Sequence, residues 1–220
     1  MSLNWKGARS LDRSPLEGDL VRLEPIDPGR HARDLFEASR GADDIWTYLA
    51  YGPFESLGSF TEWLQARADS TDPLFYAVVD RQAHAARGMT SYLRISTGDG
   101  VIEIGHIWFA PALQRTRQAT EAIFLMCRYA FDDLGYRRLE WKCDALNAPS
   151  RRAAERFGFT YEGIFRQHMV IKDRNRDTAW FSIIDTEWPS RRAAFEQWLA
   201  PANFDRDGKQ RRSLAGIRAL

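Results

Sequence analysis

The chain has 220 residues, enough for one domain with appended segments or at most two small domains. Hydrophobic residues make up 44% and aromatic residues 13%, which excludes disorder over most of the length. The 31 basic and 30 acidic residues give a formal net charge of +1, which argues against a nucleic-acid binder held by bulk charge. Two cysteines are too few for a disulfide-dense secreted scaffold, and we interpret them as buried thiols in a reducing compartment.

Targeting and metal-binding signals are not found in the sequence. The first twenty residues contain no apolar segment of the kind that signal peptides require. The longest helical apolar run, Ala122–Cys127, is far shorter than the roughly 20 residues that span a bilayer. The four histidines are scattered and the cysteines form no C-x-x-C pair. We therefore expect a cytoplasmic protein with no membrane partner and no metal.

The first part of the chain predicts a strand followed by helices. Residues 1–16 are polar and aperiodic, and we interpret them as a flexible arm. Alternating side chains at 19–24 predict a strand, after which helical spacing predicts a first helix. Beyond a short aromatic-rich element at 43–49, a second helix, Ser56–Ala68, is expected to begin at its capping serine.

The middle of the chain changes to a period of two. Strands are predicted at 74–79, 89–95 and 101–109, with a hairpin turn at Gly98–Gly100, as an antiparallel meander. The elements that follow are a helix at 116–134, a strand at 137–143, a helix at 147–157, strands at 159–164, 168–171 and 179–186, and a helix at 187–199. This order predicts a mixed α/β domain built around one sheet.

We assign residues 17–200 to a single domain and residues 201–220 to a polar, basic C-terminal tail. Two arrangements of this tail stay open. It is either solvated, or it packs back on the domain through Phe204, Leu214 and Ile217.

An ordered set of motifs occupies residues 101–163. It consists of a strand with EIG, a Q-x-x-x-x-A-T-E-A helix start, an LGYRRLEWKC strand, an N-x-x-S helix start and GF-x-x-EG. The set resembles acyl-CoA N-acyltransferases of the GNAT superfamily, in particular the Rim-type branch of ribosomal-protein N-terminal acetyltransferases. The resemblance extends over about 18–200. It implies a mostly antiparallel, twisted sheet flanked by helices, and direct transfer of an acetyl group from acetyl-CoA, as co-substrate, to a primary amine.

The resemblance implies that the pyrophosphate of acetyl-CoA binds where a loop turns into the helix at 116–134. A helix N-terminus presents unpaired backbone N–H groups and about half a positive charge to an anion. Family members usually carry glycine where this chain has Arg117, and we expect its guanidinium to bind phosphate. The alternative is an ordinary basic helix start that binds no CoA. The expected cofactor-binding residues of this loop are Gln114, Arg115, Thr116, Arg117, Gln118, Ala119 and Thr120.

The resemblance also implies that the pantetheine arm pairs with strand backbone at Ile107, Trp108 and Phe109. One N–H there would polarise the thioester carbonyl as an oxyanion donor. Asn147 is expected to hydrogen-bond pantetheine, with helix capping as the alternative.

Aminolysis of a thioester needs a base for the amine proton. Glu103 is the first candidate, and a structural hydrogen-bonding role is the alternative. Strict alternation puts Glu103, Gly105 and Ile107 on one face of the strand and His106 on the other. A β-bulge would exchange these faces.

The reaction also needs an acid that protonates the leaving sulfur. Many relatives place a tyrosine where this chain has Ala154. Ser150, in the N-x-x-S helix start, is the remaining candidate, and helix capping is again the alternative.

Aromatic and acidic residues of the early helices suit an ammonium group through cation–π and Coulomb attraction. The same residues are equally compatible with an aromatic core element. The charged hairpin tip at 172–177 is either a solvated turn or a grip for a peptide or a small anionic acceptor. The acceptor itself stays open between a protein or peptide N-terminus, an amino acid or polyamine, and an amine antibiotic. The candidate substrate-binding residues are Trp46, Tyr48, Tyr51, Glu103 and His168.

Two further functions compete with catalysis. A non-catalytic acyl-CoA-binding module on the same fold would explain the residues at 117 and 154, and it would bind CoA without turnover. A ribosome- or RNA-associated module that uses the arginine-rich tail is disfavoured by the net charge of +1. Relatives are often dimers, so a homodimer is an expectation from the resemblance alone.

Overall fold

A computed structural model describes residues 3–219 and arranges their strands in one eight-stranded sheet. In chain order the strands are β1 (Leu16–Glu17), β2 (Val21–Pro25), β3 (Leu74–Asp80), β4 (Ala85–Ser96), β5 (Val101–Phe109), β6 (Arg138–Asp144), β7 (Thr160–Ile171) and β8 (Arg174–Ile184). Their order across the sheet is β1-β2-β3-β4-β5-β6-β8-β7. Neighbours pair antiparallel except β5 and β6, which run parallel.

Helices flank this sheet, which confirms the predicted mixed α/β fold. They are α1 (Pro28–Ser39), α2 (Leu57–Ala68), α3 (Arg117–Arg128), α4 (Ala148–Phe157), α5 (Trp188–Leu199) and α6 (Leu214–Arg218). Short 3-10 turns lie at Asp43–Trp46 and Pro201–Asn203, and a π-helical turn at Tyr129–Asp133 follows α3. Within residues 3–219, no helix combines the length and the hydropathy needed to cross a bilayer.

Polar side chains fix where the helices begin. Asp27, Ser56, Thr116 and Asn147 each accept hydrogen bonds from backbone N–H groups of the first helical turn that follows. At its other end α4 stops at Gly158, whose φ of +96° is a conformation that glycine adopts without strain. Loops that lead into α3 and α4 therefore have defined geometry, and both of these loops border the candidate site.

The sheet separates two hydrophobic clusters. The larger one contains residues of α3 and α5, and the smaller one contains residues of α1 and α2. Successive residues of a strand point to opposite faces. Ile102 and Ile104 of β5 enter the larger cluster, so Glu103 between them points to the other face of the sheet.

The N-terminal segment packs against the domain, contrary to the expected flexible arm. The indole Nε1 of Trp5 donates to the carbonyl of Gly98 at 2.6 Å, and the N–H of Ala8 donates to the carbonyl of Thr97 at 2.9 Å. Leu16–Glu17 adds the edge strand β1. The aperiodic sequence of this segment gave no sign of these contacts because single backbone hydrogen bonds to distant residues leave no local pattern.

The C-terminal segment adopts the second of its two considered arrangements. Leu214 and Ile217 of α6 are buried against the larger cluster. The guanidinium of Arg218 donates to the carbonyls of Arg156 and Glu155, at 2.6 and 3.0 Å. These carbonyls belong to the last turn of α4, where backbone acceptors lack helical partners. The segment after α5 is therefore part of the packed structure.

Four of the predicted elements after residue 115 differ from the structure. The strands predicted at 159–164 and 168–171 are one strand, β7, whose pairing with β8 is interrupted by a bulge between Phe165 and Met169. Strand β8 begins at Arg174, five residues before the prediction. The long helix predicted at 116–134 is α-helical only as far as Arg128, and the π-helical turn Tyr129–Asp133 follows it directly.

Candidate active site

Strands β5 and β6 pair only over their first residues. Parallel pairing runs from Val101↔Arg138 to Ile104↔Trp141 and then stops. Beyond these pairs the two strands border a cavity of about 350 Å³. One end of this cavity reaches Gln114 and Asn147, next to the starts of α3 and α4. The remaining wall comes from residues 44–50, from β4 at Leu93 and Arg94, from the end of β6 and from the hairpin of β7 and β8.

The start of α3 presents unpaired backbone donors. The hydroxyl of Thr116 accepts the N–H of Ala119 at 3.1 Å, which satisfies one of the free groups of the first turn. In the described part of the chain, the N–H groups of Arg115, Thr116, Arg117 and Gln118 have no protein acceptor. Arg115 has a φ of +61°, so the turn into the helix is made one residue before its cap. This backbone arrangement is suited to an anion.

Two side chains of the loop, Gln114 and Thr120, bond to other groups of the protein. Gln114 donates through Nε2 to the carbonyl of Phe109 at 2.9 Å and so ties the loop to the end of β5. Thr120 is buried, and its hydroxyl bonds to the carbonyl of Thr116 and to Arg156. Thr120 therefore supports the loop from inside the fold.

Arg117 is bound by groups of the protein itself, and its expected phosphate contact stays a prediction. Its Nη2 donates to the carbonyl of Leu199 at 2.9 Å, and its guanidinium carbon lies 4.2 Å from the centre of the Phe204 ring. Its φ is not in the left-handed region, so the position does not need the glycine that the family pattern carries. The arginine here connects the start of α3 to the segment after α5.

The start of α4 separates the two roles considered for Asn147 and Ser150. Asn147 is the cap, because its Oδ1 accepts the N–H of Ser150 at 3.0 Å. The Oγ of Ser150 instead accepts the indole Nε1 of Trp141 at 3.0 Å. Since the indole is the donor, it leaves the hydroxyl hydrogen of Ser150 for another acceptor. Cys143 lines the cavity wall. Burial raises the pKa of its thiol, and a hydrogen bond from Ser150 acts in the opposite direction.

Glu103 lies on the cavity wall with a side chain that is only 4% exposed. Its Oε2 accepts from Arg94 Nη1 and from Lys142 Nζ, both at 2.8 Å. Lys142 is equally buried and also bonds to Glu140 at 2.6 Å. Oε1 of Glu103 is turned toward Gly105. A Cβ atom added to Gly105 would lie 3.5 Å from this oxygen. One carboxylate oxygen is thus held by cations while the other faces the bend of β5.

A β-bulge interrupts β5 at His106. The pairing with β4 shifts from Ser91↔Gly105 to Met89↔Trp108. Between these two pairs β5 advances by three residues while β4 advances by two, so β5 contains one extra residue. His106 has a φ of +52° within this bulge. The strict alternation considered from the sequence is therefore wrong beyond Gly105, and the bulge alternative applies.

The bulge brings His106 to the same face as Glu103. Its ring packs against Phe75 and stacks on Tyr51, and Nδ1 shares a hydrogen bond with the Tyr51 hydroxyl at 3.2 Å. Burial, together with charge repulsion from Arg67, Arg94 and Arg176, lowers the pKa of His106 to about 4. His106 is therefore a neutral, hydrogen-bonded side chain near pH 7. Trp108 lies on the same face of the sheet and packs in the smaller cluster, while Ile107 and Phe109 pack against the larger cluster.

The predicted acceptor residues separate into two groups. Tyr48 and Glu103 line the cavity, and the Tyr48 hydroxyl donates to the carbonyl of Leu146 at 3.1 Å. Trp46 is 1% exposed in the smaller cluster, and Tyr51 lies behind His106, so these two have the core role considered as the alternative. His168 lies on the exposed surface of the β7–β8 hairpin, outside the cavity, and bonds to Thr178 at 2.9 Å.

The cavity also contains Arg94 and Lys142, which sequence reasoning missed, and Arg176, which it considered only as part of the charged hairpin tip at 172–177. Lys142 had a usable signal, because it lies two residues from Glu140 on the face of β6 opposite Leu139 and Trp141. Arg94 had none. Among residues 3–219, no group of three or more His, Cys, Asp or Glu side chains is placed to hold a metal ion.

The parallel strands of this sheet separate beside two helix N-termini, and solved acetyltransferase structures share the overall fold. The family model described as an acetyltransferase (GNAT) domain matches residues 21–160, and the chain belongs to this family. The crystal structure of a GCN5-related N-acetyltransferase from Brucella melitensis shares 49% identity and a TM-score of 0.97, with 99% of each chain covered.

Two curated relatives come from Bacillus subtilis (strain 168). YdaF, named as a ribosomal N-acetyltransferase, is 28% identical over 171 residues, which cover 76% of this chain and 90% of YdaF. YnaD, an uncharacterised N-acetyltransferase, is 29% identical over 91 residues, which cover 41% of this chain. The match spans only about half of YnaD, 53% of its length.

The contacts of Arg117 predict that Arg117→Ala destabilises the protein before any ligand is added. Loss of the charged hydrogen bond to Leu199 and of the Phe204 contact should lower the free energy of unfolding by about 2 kcal/mol. Thermal and urea unfolding of the unliganded protein measure this change. The matched control is Arg115→Ala, an exposed neighbour, which should change stability little. A direct phosphate contact would instead predict unchanged stability and weakened binding of acetyl-CoA.

Proposed function

We propose that this protein transfers an acetyl group from acetyl-CoA to a primary amine in one direct step. The observation that carries the proposal is the separation of β5 from β6, which leaves an open strand edge and two helix starts around one cavity. Membership of the acetyltransferase family gives the group that is transferred. The similarity to YdaF favours the α-amine of a peptide or protein as the acceptor.

The residues present fit acetyl-CoA. The unpaired N–H groups of residues 115–118 suit its pyrophosphate, since a helix start binds anions through backbone donors and the helix dipole. The open backbone of Ile107–Phe109 suits the amide groups of pantetheine, which would pair with it as an added strand. A backbone N–H in that stretch is proposed as the donor to the thioester oxygen. Asn147 contributes by capping α4 and thereby fixing Ser150.

Glu103 is proposed as the base, acting through a water molecule. The amine nitrogen forms the new C–N bond, and the proton it loses passes toward Oε1 of Glu103. Arg94 and Lys142 hold Oε2, so the free oxygen has a fixed direction at the bend of β5. A base that is already in position contributes without having to reorganise during the reaction.

Ser150 is proposed as the acid. As the C–S bond breaks, its hydroxyl hydrogen passes to the sulfur and CoA leaves as the thiol, while the Trp141 indole keeps the hydroxyl oriented. The proton that Glu103 took from the amine returns to the Ser150 oxygen through water, which restores both side chains. The nearby Cys143 is a poor nucleophile because burial raises the pKa of its thiol, and only the thiolate attacks efficiently. This supports direct transfer rather than an acetylated enzyme.

Acetyl-CoA should bind with micromolar affinity in titration calorimetry. At about 100 times Kd it should add about 2.7 kcal/mol of stability, which thermal shift measures independently. Gln118→Glu should weaken binding at least tenfold, because it adds a carboxylate beside the unpaired N–H groups, whereas Gln82→Glu on a distant exposed turn should not. Absence of binding at millimolar acetyl-CoA contradicts the proposal. Binding without thiol release over a panel of amines and peptides would favour the non-catalytic module.

Glu103→Gln should lower kcat by about 100-fold with little change in acetyl-CoA affinity, because a positioned base contributes roughly that much. Steady-state thiol release from pH 6 to 10 measures it. The control is Glu140→Gln, which also removes a partner of Lys142 but lies off the cavity wall. It should reduce stability and leave kcat within a few-fold. Unchanged turnover of Glu103→Gln over the whole pH range would remove Glu103 as the base.

Ser150→Ala should slow turnover by about tenfold or more without melting α4, since Asn147 provides the cap. Cys143→Ala should retain turnover, and mass spectrometry of the wild-type protein with acetyl-CoA should detect no acetylated cysteine. Thermal melting of both variants separates folding from catalysis. If Ser150→Ala lowers stability while turnover holds, the serine is a structural residue. An acetyl group on Cys143 would replace direct transfer by a two-step mechanism.

A further inference from the structure

Three cationic side chains line the cavity, and they differ in how well they are neutralised. Lys142 bonds to both Glu103 and Glu140. Arg94 is paired with Glu103 through one nitrogen and is otherwise about half exposed. Arg176 is half-buried, and its Nε donates to the Thr178 hydroxyl at 3.1 Å. Within residues 3–219, no carboxylate lies within ion-pair distance of Arg176, although the residue lines the cavity.

Irregular backbone lies beside both arginines. Pairing of β4 with β5 shifts between Leu93 and Ser96, and Arg94 within this bulge has a φ of +50°. The N–H groups of Arg94 and Ile95 are held by the carboxylate of Asp72, at 2.8 and 3.1 Å. Arg176 lies on β8 opposite Met169, where the pairing of β7 resumes after its own bulge. Bulges beside a site redirect side chains, and strained residues concentrate where function needs them.

Charges of both signs surround Arg176. Burial lowers its pKa, and the charge of Arg94 adds to this, whereas Asp144, Cys143 and Glu103 act in the opposite direction. Asp144 has a bond of its own, because its Oδ1 accepts the N–H of Leu146 at 2.9 Å. An anion placed between the two guanidinium groups would remove their mutual repulsion and satisfy their free donors.

We propose that the acceptor carries a carboxylate, and that Arg176, together with Arg94, binds it. This rests on the proposed acetyl transfer and names the substrate class of the same site. Guanidinium groups match carboxylates in a planar, two-bond geometry. The same end of the cavity offers apolar walls at Ile45, Met169 and Ile171, which suit the carbon chain between amine and carboxylate. The carboxylate is unchanged by the reaction: only the C–N bond forms and the C–S bond breaks.

An acidic residue near the N-terminus of a peptide supplies this chemistry, and a free acidic amino acid is the other source. The test uses tetrapeptide amides that are identical except for Glu or Gln at position one, two or three, together with free glutamate and glutamine. For at least one position, wild-type kcat/KM should be tenfold or more higher for the Glu peptide than for its Gln partner. A preference confined to free glutamate identifies the small molecule as the source.

Arg176→Gln should abolish this preference by slowing the Glu substrate and leaving the Gln substrate unchanged. The control is Arg174→Gln, an exposed arginine two residues away on the same hairpin, which should keep the preference. Arg94 is a poorer choice of variant because it also holds Glu103. Equal kcat/KM for every Glu and Gln pair in the wild-type protein, or a preference that survives Arg176→Gln, overturns the proposal.

Failure of the proposed function is separable from failure of this inference. Calorimetry with acetyl-CoA tests the cofactor binding that the proposed function requires, and it needs no acceptor. If no peptide or amino acid is acetylated, we measure how tightly the same Glu and Gln pairs bind to the protein in the presence of CoA. If CoA itself does not bind, the measurement uses the protein alone. Tighter binding of the Glu member that is lost in Arg176→Gln supports the carboxylate site. Equal binding of both members overturns it.

Discussion

The parting of β5 from β6 is the constraint on which the rest of the site depends. Parallel strands normally satisfy each other's backbone, and here they do so only as far as Ile104↔Trp141. Beyond that pair, the two strands expose donors and acceptors to a cavity. The parting also brings the start of α3 and the start of α4 to one end of this cavity, because each helix follows one of the two strands. A closed, regular sheet at this point would leave no room for a ligand.

Bulges determine which side chains reach the cavity. Arg94 and His106 lie at register shifts in β4 and β5, and both have positive φ. Each such residue is strained, by about 1–3 kcal/mol, unless its surroundings hold it. The surroundings do so here: Asp72 binds the backbone at Arg94, and Tyr51 stacks on and bonds to His106. Trp46 and Tyr51 therefore lie behind the site, whereas Tyr48 lines the cavity.

Local patterns predicted most of the fold. Alternation identified β3 to β6, and capping residues such as Ser56 and Asn147 marked helix starts, since these signals lie within a few residues of the element they define. Bulges, the packing of both terminal segments, and the roles of Trp46 and His168 depend on contacts between distant residues, which leave no periodic trace. Arg117 illustrates the limit. The motif drew attention to its position, yet its partners, Leu199 and Phe204, lie more than 80 residues away.

The ion pairs beside the cavity form a single chain of alternating charge, Arg94–Glu103–Lys142–Glu140–Arg138–Glu162. Three cations and three carboxylates balance within it, which allows Lys142 to be buried without a net charge. The chain also anchors Glu103 from β5 to the neighbouring strands. Arg176 lies outside this balance. Its guanidinium belongs to no ion pair among residues 3–219, and the proposed carboxylate of the acceptor would neutralise it.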